Sequence, residues 1–305
     1  MNSVLLQCRF RKITTFPLNE DFKLNLLYCC SPLKNTDRRK IDRMMKKRYL
    51  SIPILAIALH FLLSNLLYFL VERLVLDIFH IPPQQFMKHS YWGEILIYAV
   101  LILVFFTLYK LLWRKDISEP RTATNFKDVL GSLVVGFGIC GISGLWIMLA
   151  EQLPSLQKSV EAINAGAENI AGGNAFGTFM IAVIAAPVVE EILFRGIVLR
   201  SMRKFTPVWA AILISSVLFG VYHLNIVQAA YATFMGIAAG ILYEKKKNLL
   251  FPILVHFANN LITMLQGFAP SEVNELISIF ILIMIAPAGY VICRSLKQGK
   301  RADSM

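Results

Sequence analysis

Long apolar runs alternate along this chain with short, mostly basic, polar connections. Eight runs can be read: Ser51 to Val71, Ile95 to Trp113, Val129 to Ala150, Ala175 to about Leu199, Pro207 to Tyr222, Val227 to Tyr243, Leu249 to Phe268 and Leu276 to Cys293. About 20 apolar residues, roughly 17 to 25, carry a helix across the hydrocarbon core. Most runs reach that length; the fourth is interrupted by charge, and the fifth and sixth are short. The pattern predicts an all-α polytopic membrane helix bundle of about eight transmembrane helices.

Lys and Arg between the runs set the orientation, because cytoplasmic loops carry their excess. The N-terminal tail, the second connection (Arg114, Lys115, Arg121, Lys127), the fourth (Arg200, Arg203, Lys204), the sixth (Lys245, Lys246, Lys247) and the C-terminus (Arg294, Lys297, Lys300, Arg301) are basic. The first connection has only Arg73 and Lys88, the third only Lys158, and the fifth and seventh none. This alternation predicts both termini on the cytoplasmic side of a cell membrane, of the bacterial plasma-membrane type. No internal repeat of useful length is present, which counts against an inverted-repeat transporter using its carboxylates as proton carriers.

Composition sharpens the class. With 56% hydrophobic and 16% charged residues, the chain is too apolar for an ordinary water-soluble enzyme. Its net charge is +12, and residues 1–49 supply two thirds of it, with 12 Lys and Arg against 4 Asp and Glu. A basic tail beside apolar runs reads as a flank facing anionic lipid, so the lipid bilayer is the expected partner and nucleic acid is not. The five cysteines (Cys8, Cys29, Cys30, Cys140, Cys293) are scattered without a CxxC spacing, so they encode neither a disulfide framework nor a thiolate zinc site. The first 49 residues lack the progression of a signal peptide. Met44-Met45-Lys46-Lys47-Arg48 before the first run reads as a natural start, which would make residues 1–43 a start-site artefact.

Small residues recur every four positions at Gly136, Cys140 and Gly144, and again at Ala232, Gly236 and Gly240, a spacing that permits close helix approach. The Gly-, Ala- and Asn-rich stretch from Ala165 to Gly177 reads as a flexible connector.

Ionisable groups inside a membrane cost about 2.5 to 3.5 kcal/mol each at a helix centre, so the few present are functional candidates. On the fourth run Glu191 and Arg195 share a face at i and i+4, whereas Glu190 is turned by about 100° and left without that partner. Pro187 cannot donate to the carbonyl of Val183, so a kink beside the carboxylates is expected. On its own, the Glu191–Arg195 pair reads as structural. Phe219 and His223 share a face of the fifth run, where a lone His reads as an interfacial residue. On the seventh run His256 and Asn260 lie one turn apart with Asn259 beside them. This trio fits donors for a developing oxyanion and, equally, an interhelical hydrogen-bond clamp. His60 and Asn65 on the first run read as packing or interface residues.

The ordered set Glu190-Glu191-x-x-x-Arg195, Phe219-x-x-x-His223 and His256-x-x-x-Asn260, each on its own membrane helix, resembles the CPBP intramembrane protease family. That family includes the eukaryotic CAAX prenyl endopeptidase Rce1 and the bacterial CAAX protease self-immunity (Abi) proteins. The resemblance spans roughly Ala175 to Phe268. It implies that residues 174–270 are a catalytic core; the apolar runs and charge make residues 1–49 a basic tail, 50–173 the first three helices and 271–305 the last helix with a basic tail. It implies an endopeptidase that cleaves a membrane-anchored peptide or protein. Glu190 and His223 would activate water, His256 and Asn260 would hold the oxyanion, and Glu191, Arg195 and Phe219 would support them.

The family is often classed as a metalloprotease, and Glu190, His223 and His256 would make a His2Glu zinc set. The absence of an HExxH pair and the presence of Asn260 favour a glutamate-activated water without a cofactor. A membrane immunity protein against bacteriocins, or a scaffold, is the competing class. The C-terminus has no prenylatable Cys, so the chain is not its own CAAX-type substrate.

One expectation is demanding. Counted at about 1.5 Å per residue from the cytoplasmic ends, His223 lies about 24 Å deep but His256 only about 10 Å. Helix tilt, a break at Pro252 or a deeper start to the seventh helix has to bring them together.

Overall fold

The computed structural model describes residues 35–80, 82, 90–114 and 124–302, with backbone alone for 35–47, 78, 169–172 and 298–302. Residues 1–34 of the basic tail, the loop residues Lys88, Lys115 and Arg121, and residues 303–305 lie outside the described residues, while the proposed start at Met44 lies within a described helix. The chain divides into two units, Met1–Lys47 and Arg48–Met305, and the second contains the bundle.

Among the described residues the regular structure is helical. The helices are α1 (Asn35–Arg73), α2 (Tyr91–Leu112), α3 (Phe126–Glu151), α4 (Gln157–Gly172), the composite α5 described below, α6 (Val208–Tyr222), α7 (Ile226–Lys246), α8 (Leu250–Phe268) and α9 (Ser271–Ala302). Every apolar run falls in one of them. Five segments are long and apolar enough to cross a membrane: Arg48–Asp77, which runs from α1 into the π stretch Leu74–Ile78, then α2, α3, α7 and Ser271–Lys297 of α9. Large apolar side chains on these helices point outward, with Leu62 72%, Leu103 67% and Leu276 67% exposed. Such a surface is stable in lipid and not in water. The chain is therefore a multi-pass membrane protein.

The three helices that carry the polar candidates are not among those five. Helix α6 has only 15 residues. Helix α8 interrupts its apolar face with His256, Asn259, Asn260 and Gln266. Helix α5 is a relay of Ala175–Thr178 (α), Phe179–Ala185 (π), Ala186–Glu191 (α), Ile192–Leu199 (π) and Arg200–Met202 (α). Pro187 sits in the first turn after the first π stretch, where its missing N–H costs least. Wider π turns free carbonyls, and inside a membrane these need partners. Neighbouring helices supply them: Asn260 Nδ2 donates to Ala182 O at 2.8 Å, Ser215 Oγ to Phe194 O at 2.9 Å and Trp113 Nε1 to Gly196 O at 2.8 Å.

The core gathers around α5. Val189, Leu193, Phe194, Ile197 and Val198 are fully buried beside Phe105 of α2, Val135 of α3, Phe219 of α6 and Val255 of α8. Gly136 lets α3 touch α8, since a Cβ there would collide with Val255 O and lie 2.6 Å from Ala258 Cβ. Gly236 packs on Ser216 and Gly240 on Ile212 in the same manner. Gly144 departs from the packing expectation: a Cβ there would meet nothing within 4 Å, because α3 borders open space at that level.

The connector expected from Ala165 to Gly177 is largely helix instead. Helix α4 ends at Gly172, and Asn174 caps the next turn by accepting from Gly177 N at 2.9 Å. Ala-rich composition favours helix despite Gly166, and Val160 and Ile163 pack against Ala150 and Val227, which gives α4 an apolar face.

Candidate active site

Glu190 and Glu191 stand at the junction between the short α turn and the second π stretch of α5. Glu191 is fully buried, and Arg195 Nη1 donates to its Oε1 at 2.8 Å from one turn away. The guanidinium also lies over the Phe219 ring, 4.7 Å from its centroid. A charge pair removed from water this completely needs additional partners. His256 provides one, with Nδ1 3.1 Å from the same Glu191 oxygen. Arg195 and Phe219 thus form a floor under Glu191, and Glu191 fixes the imidazole of His256.

Glu190 points elsewhere. Its carboxylate is 3.9 Å from His256 Nε2, too far for a hydrogen bond, and its Oε2 is buried without a hydrogen-bond partner in the protein. His223 follows the last residue of α6, and its Nδ1 lies 2.9 Å from Phe219 O. A carbonyl only accepts, so Nδ1 carries the proton and donates, leaving Nε2 of the neutral ring as an acceptor. On α8, Asn259 Nδ2 donates to Asn260 Oδ1 at 3.1 Å, and Asn260 spends one amide hydrogen on Ala182 O. The second hydrogen of Asn260 remains available.

Glu190, His223, His256, Asn259 and Asn260 line one cavity of about 670 Å³. The two imidazoles meet at Phe219. The His223 side chain folds back one turn onto Phe219 O, and the Phe219 ring meets both imidazoles edge-on, with centroids 4.9 Å from His223 and 5.7 Å from His256. Pro252 plays no part in this, since it lies in the first turn of a continuous α8. Of the sequence candidates, Glu190, His223, His256 and Asn260 face the cavity, while Glu191, Arg195 and Phe219 lie outside its lining.

Other lining residues were not legible. Tyr98 reaches the cavity from α2, but a Tyr in an apolar helix is indistinguishable by sequence from core. Outside the lining, His60 is buried and has a partner, its Nδ1 lying 2.9 Å from Tyr222 OH. Asn225 ties α4 to the turn after His223, accepting from Ser159 Oγ at 2.6 Å and donating to Ser159 O at 2.9 Å.

A zinc ion bound by Glu190, His223 and His256 would require all three side chains within about 2.0 to 2.2 Å of one point. Among the described residues, no three His, Cys, Asp or Glu side chains are grouped to hold a metal ion. His256 Nδ1 is turned to Glu191 instead. The side chains as placed do not fit that group.

Residues 172–262 match the family model of the Type II CAAX prenyl endopeptidase Rce1-like proteins. The match contains every candidate named above on α5, α6 and α8. That segment is similar to the CPBP family, and the match covers about a third of the chain. The chain is also similar to the "Putative membrane peptidase YdiL" of Bacillus subtilis (strain 168), with 28% identity over 198 residues, 62% of this chain and 77% of that protein. No solved structure matches. The family match leaves α1 to α3 outside it, although the cavity takes part of its wall from α2 and α3.

Proposed function

We propose that this protein is an intramembrane endopeptidase, embedded eight times in a bacterial-type plasma membrane, that hydrolyses a peptide bond of a membrane-anchored peptide or protein. The observation that carries the reading is the unpartnered, buried Oε2 of Glu190 in a cavity shared with His223, His256 and Asn260. Hydrolysis needs a base for water, donors for the oxyanion and a proton for the departing amine.

Glu190 takes a proton from water, oriented by the acceptor Nε2 of His223, as the water oxygen attacks the scissile carbonyl carbon. The carbonyl oxygen becomes an oxyanion held by the spare amide hydrogen of Asn260, with His256 beside it, oriented by the contact of its Nδ1 with Glu191. Glu190 then returns its proton to the amide nitrogen as the C–N bond breaks, so no proton is lost or gained by the site. Glu191, Arg195 and Phe219 position His256. No step requires a metal.

The test compares membrane peptide profiles of cells making the wild-type chain with those making Glu190→Gln, a change that keeps size and removes the base. Products present with the wild type and missing with the variant support the peptidase. Full biological effect of Glu190→Gln, including bacteriocin immunity where the wild type confers it, assigns the chain to the scaffold or immunity class instead.

A further inference from the structure

The cavity has a direction. On each helix that contributes to it, the lining residues lie toward one end. On α3 they are in the C-terminal half, from Cys140 to Met148; on α7 they run from the cap Asn225 to Met235; on α8 from His256 to Gln266; on α9 from Ser278 to Leu282. The opposite ends of the same helices hold Lys127 on α3, Lys245 and Lys246 on α7, and Arg294 and Lys297 on α9. At the cavity end, among the described residues of α3 to α9 and their connections, the only Lys or Arg is Lys158. Basic residues stay with the cytoplasm, so the cavity opens toward the other side.

The rim indicates what enters. Leu145, Met148 and Leu282 border the cavity and are 47%, 63% and 44% exposed, so the outer lip is apolar. Gly144 on α3 and Gly166 on α4 both line the cavity and have nothing within 4 Å of a Cβ position. The N-terminal half of α4 is pinned through Ser159 and Val160, which leaves its Gly166–Ala167 segment as a wall and not as part of the core. An apolar lip above a polar floor suits a chain that arrives through lipid and presents its backbone to Glu190.

We propose that the substrate reaches Glu190 from the non-cytoplasmic leaflet, passing between Gly144 of α3 and Gly166 of α4. The substrate class is a peptide whose anchor lies in that leaflet and whose scissile bond is exposed on the non-cytoplasmic side, as opposed to a lipidated protein of the cytoplasm. This inference rests on the peptidase reading of the cavity, and the experiment separates the two.

The full chain, with its five native cysteines replaced, receives Gly166→Cys, Gly144→Cys or Lys297→Cys. Intact cells and inverted membrane vesicles are treated with a membrane-impermeant maleimide. The expected result is labelling of Gly166→Cys in intact cells alone and of Lys297→Cys in inverted vesicles alone. The reverse pattern, or a Gly166→Cys protected on both sides, overturns the entry side whatever the enzyme's activity. In the second arm, cleavage products that depend on Glu190 are followed after modification of Gly144→Cys and Gly166→Cys in intact cells. Both adducts abolish product formation if the route passes between them, while modification of Lys297→Cys in inverted vesicles leaves it unchanged. Undiminished cleavage with both glycine positions blocked sinks the route. Absence of Glu190-dependent products in the unmodified protein sinks the peptidase reading alone, and the labelling result stands.

Discussion

Gly136→Ala puts the coupling between packing and chemistry to a quantitative test. The glycine is on α3 and touches no candidate catalytic group, yet its neighbours Val255 and Ala258 bracket His256 on α8. An added Cβ would lie 2.6 Å from Ala258 Cβ and closer still to Val255 O. Carbon atoms pack at about 3.5 to 4.0 Å, so α8 has to retreat by about 1 Å. Overpacking of this kind costs about 1 to 3 kcal/mol of stability. A displacement of about 1 Å at a reacting group costs on the order of a hundredfold in rate, or about 2.7 kcal/mol of barrier. Gly138→Ala is the matched control, because its Cβ would press on Ala288 and Met284 of α9, which carry no polar group of the site. Both variants should melt earlier in detergent by similar amounts. Only Gly136→Ala should lose about a hundredfold in kcat/KM on a membrane-anchored peptide reporter drawn from the Glu190-dependent products. Equal kcat/KM for the two variants would refute the claim that α3 sets the position of His256.

Arg195→Met leaves the Glu191 carboxylate buried without its cation and should lower stability by about 3 to 5 kcal/mol, read as thermal unfolding in detergent. Adding Glu191→Gln should recover much of that loss, and no recovery would mean that Arg195 acts through its stacking on Phe219 alone. Tyr222→Phe removes the hydroxyl that meets His60 Nδ1 and should cost about 1 to 3 kcal/mol while Glu190-dependent cleavage persists; abolished cleavage would place Tyr222 in the reaction itself. Treatment of the purified protein with a strong zinc chelator should leave cleavage intact, and stoichiometric zinc whose removal abolishes activity would overturn the metal-independent mechanism.

Helical periodicity carried the Glu191–Arg195 pair and the separation of Glu190 from it, because groups four residues apart on one helix meet whatever surrounds them. It also carried the His256–Asn260 face. It failed at Gly144, where a four-residue spacing identical to that of Gly136 borders a cavity, and at Ala165 to Gly177, where glycine and asparagine concealed a helix and its cap. Small residues report permissive sterics, and the same permissiveness serves contact in one place and open space in another. His60 was opaque for a related reason: its partner Tyr222 is 162 residues away.

The sequence by itself determined an apolar helical chain bound for a membrane, an uneven distribution of Lys and Arg between its apolar runs, and a small set of polar groups on three helices. These properties follow from local composition and the fixed rise and turn of a helix. The tertiary structure decided that the groups meet. That outcome depends on the π turns of α5, on the His223 side chain folding back to Phe219 O, and on the approach of α3 and α8 at Gly136. The approach at Gly136 joins distant segments and is set by crossing geometry, whereas the π turns and the His223 rotamer are local choices that hydrophobic periodicity does not encode.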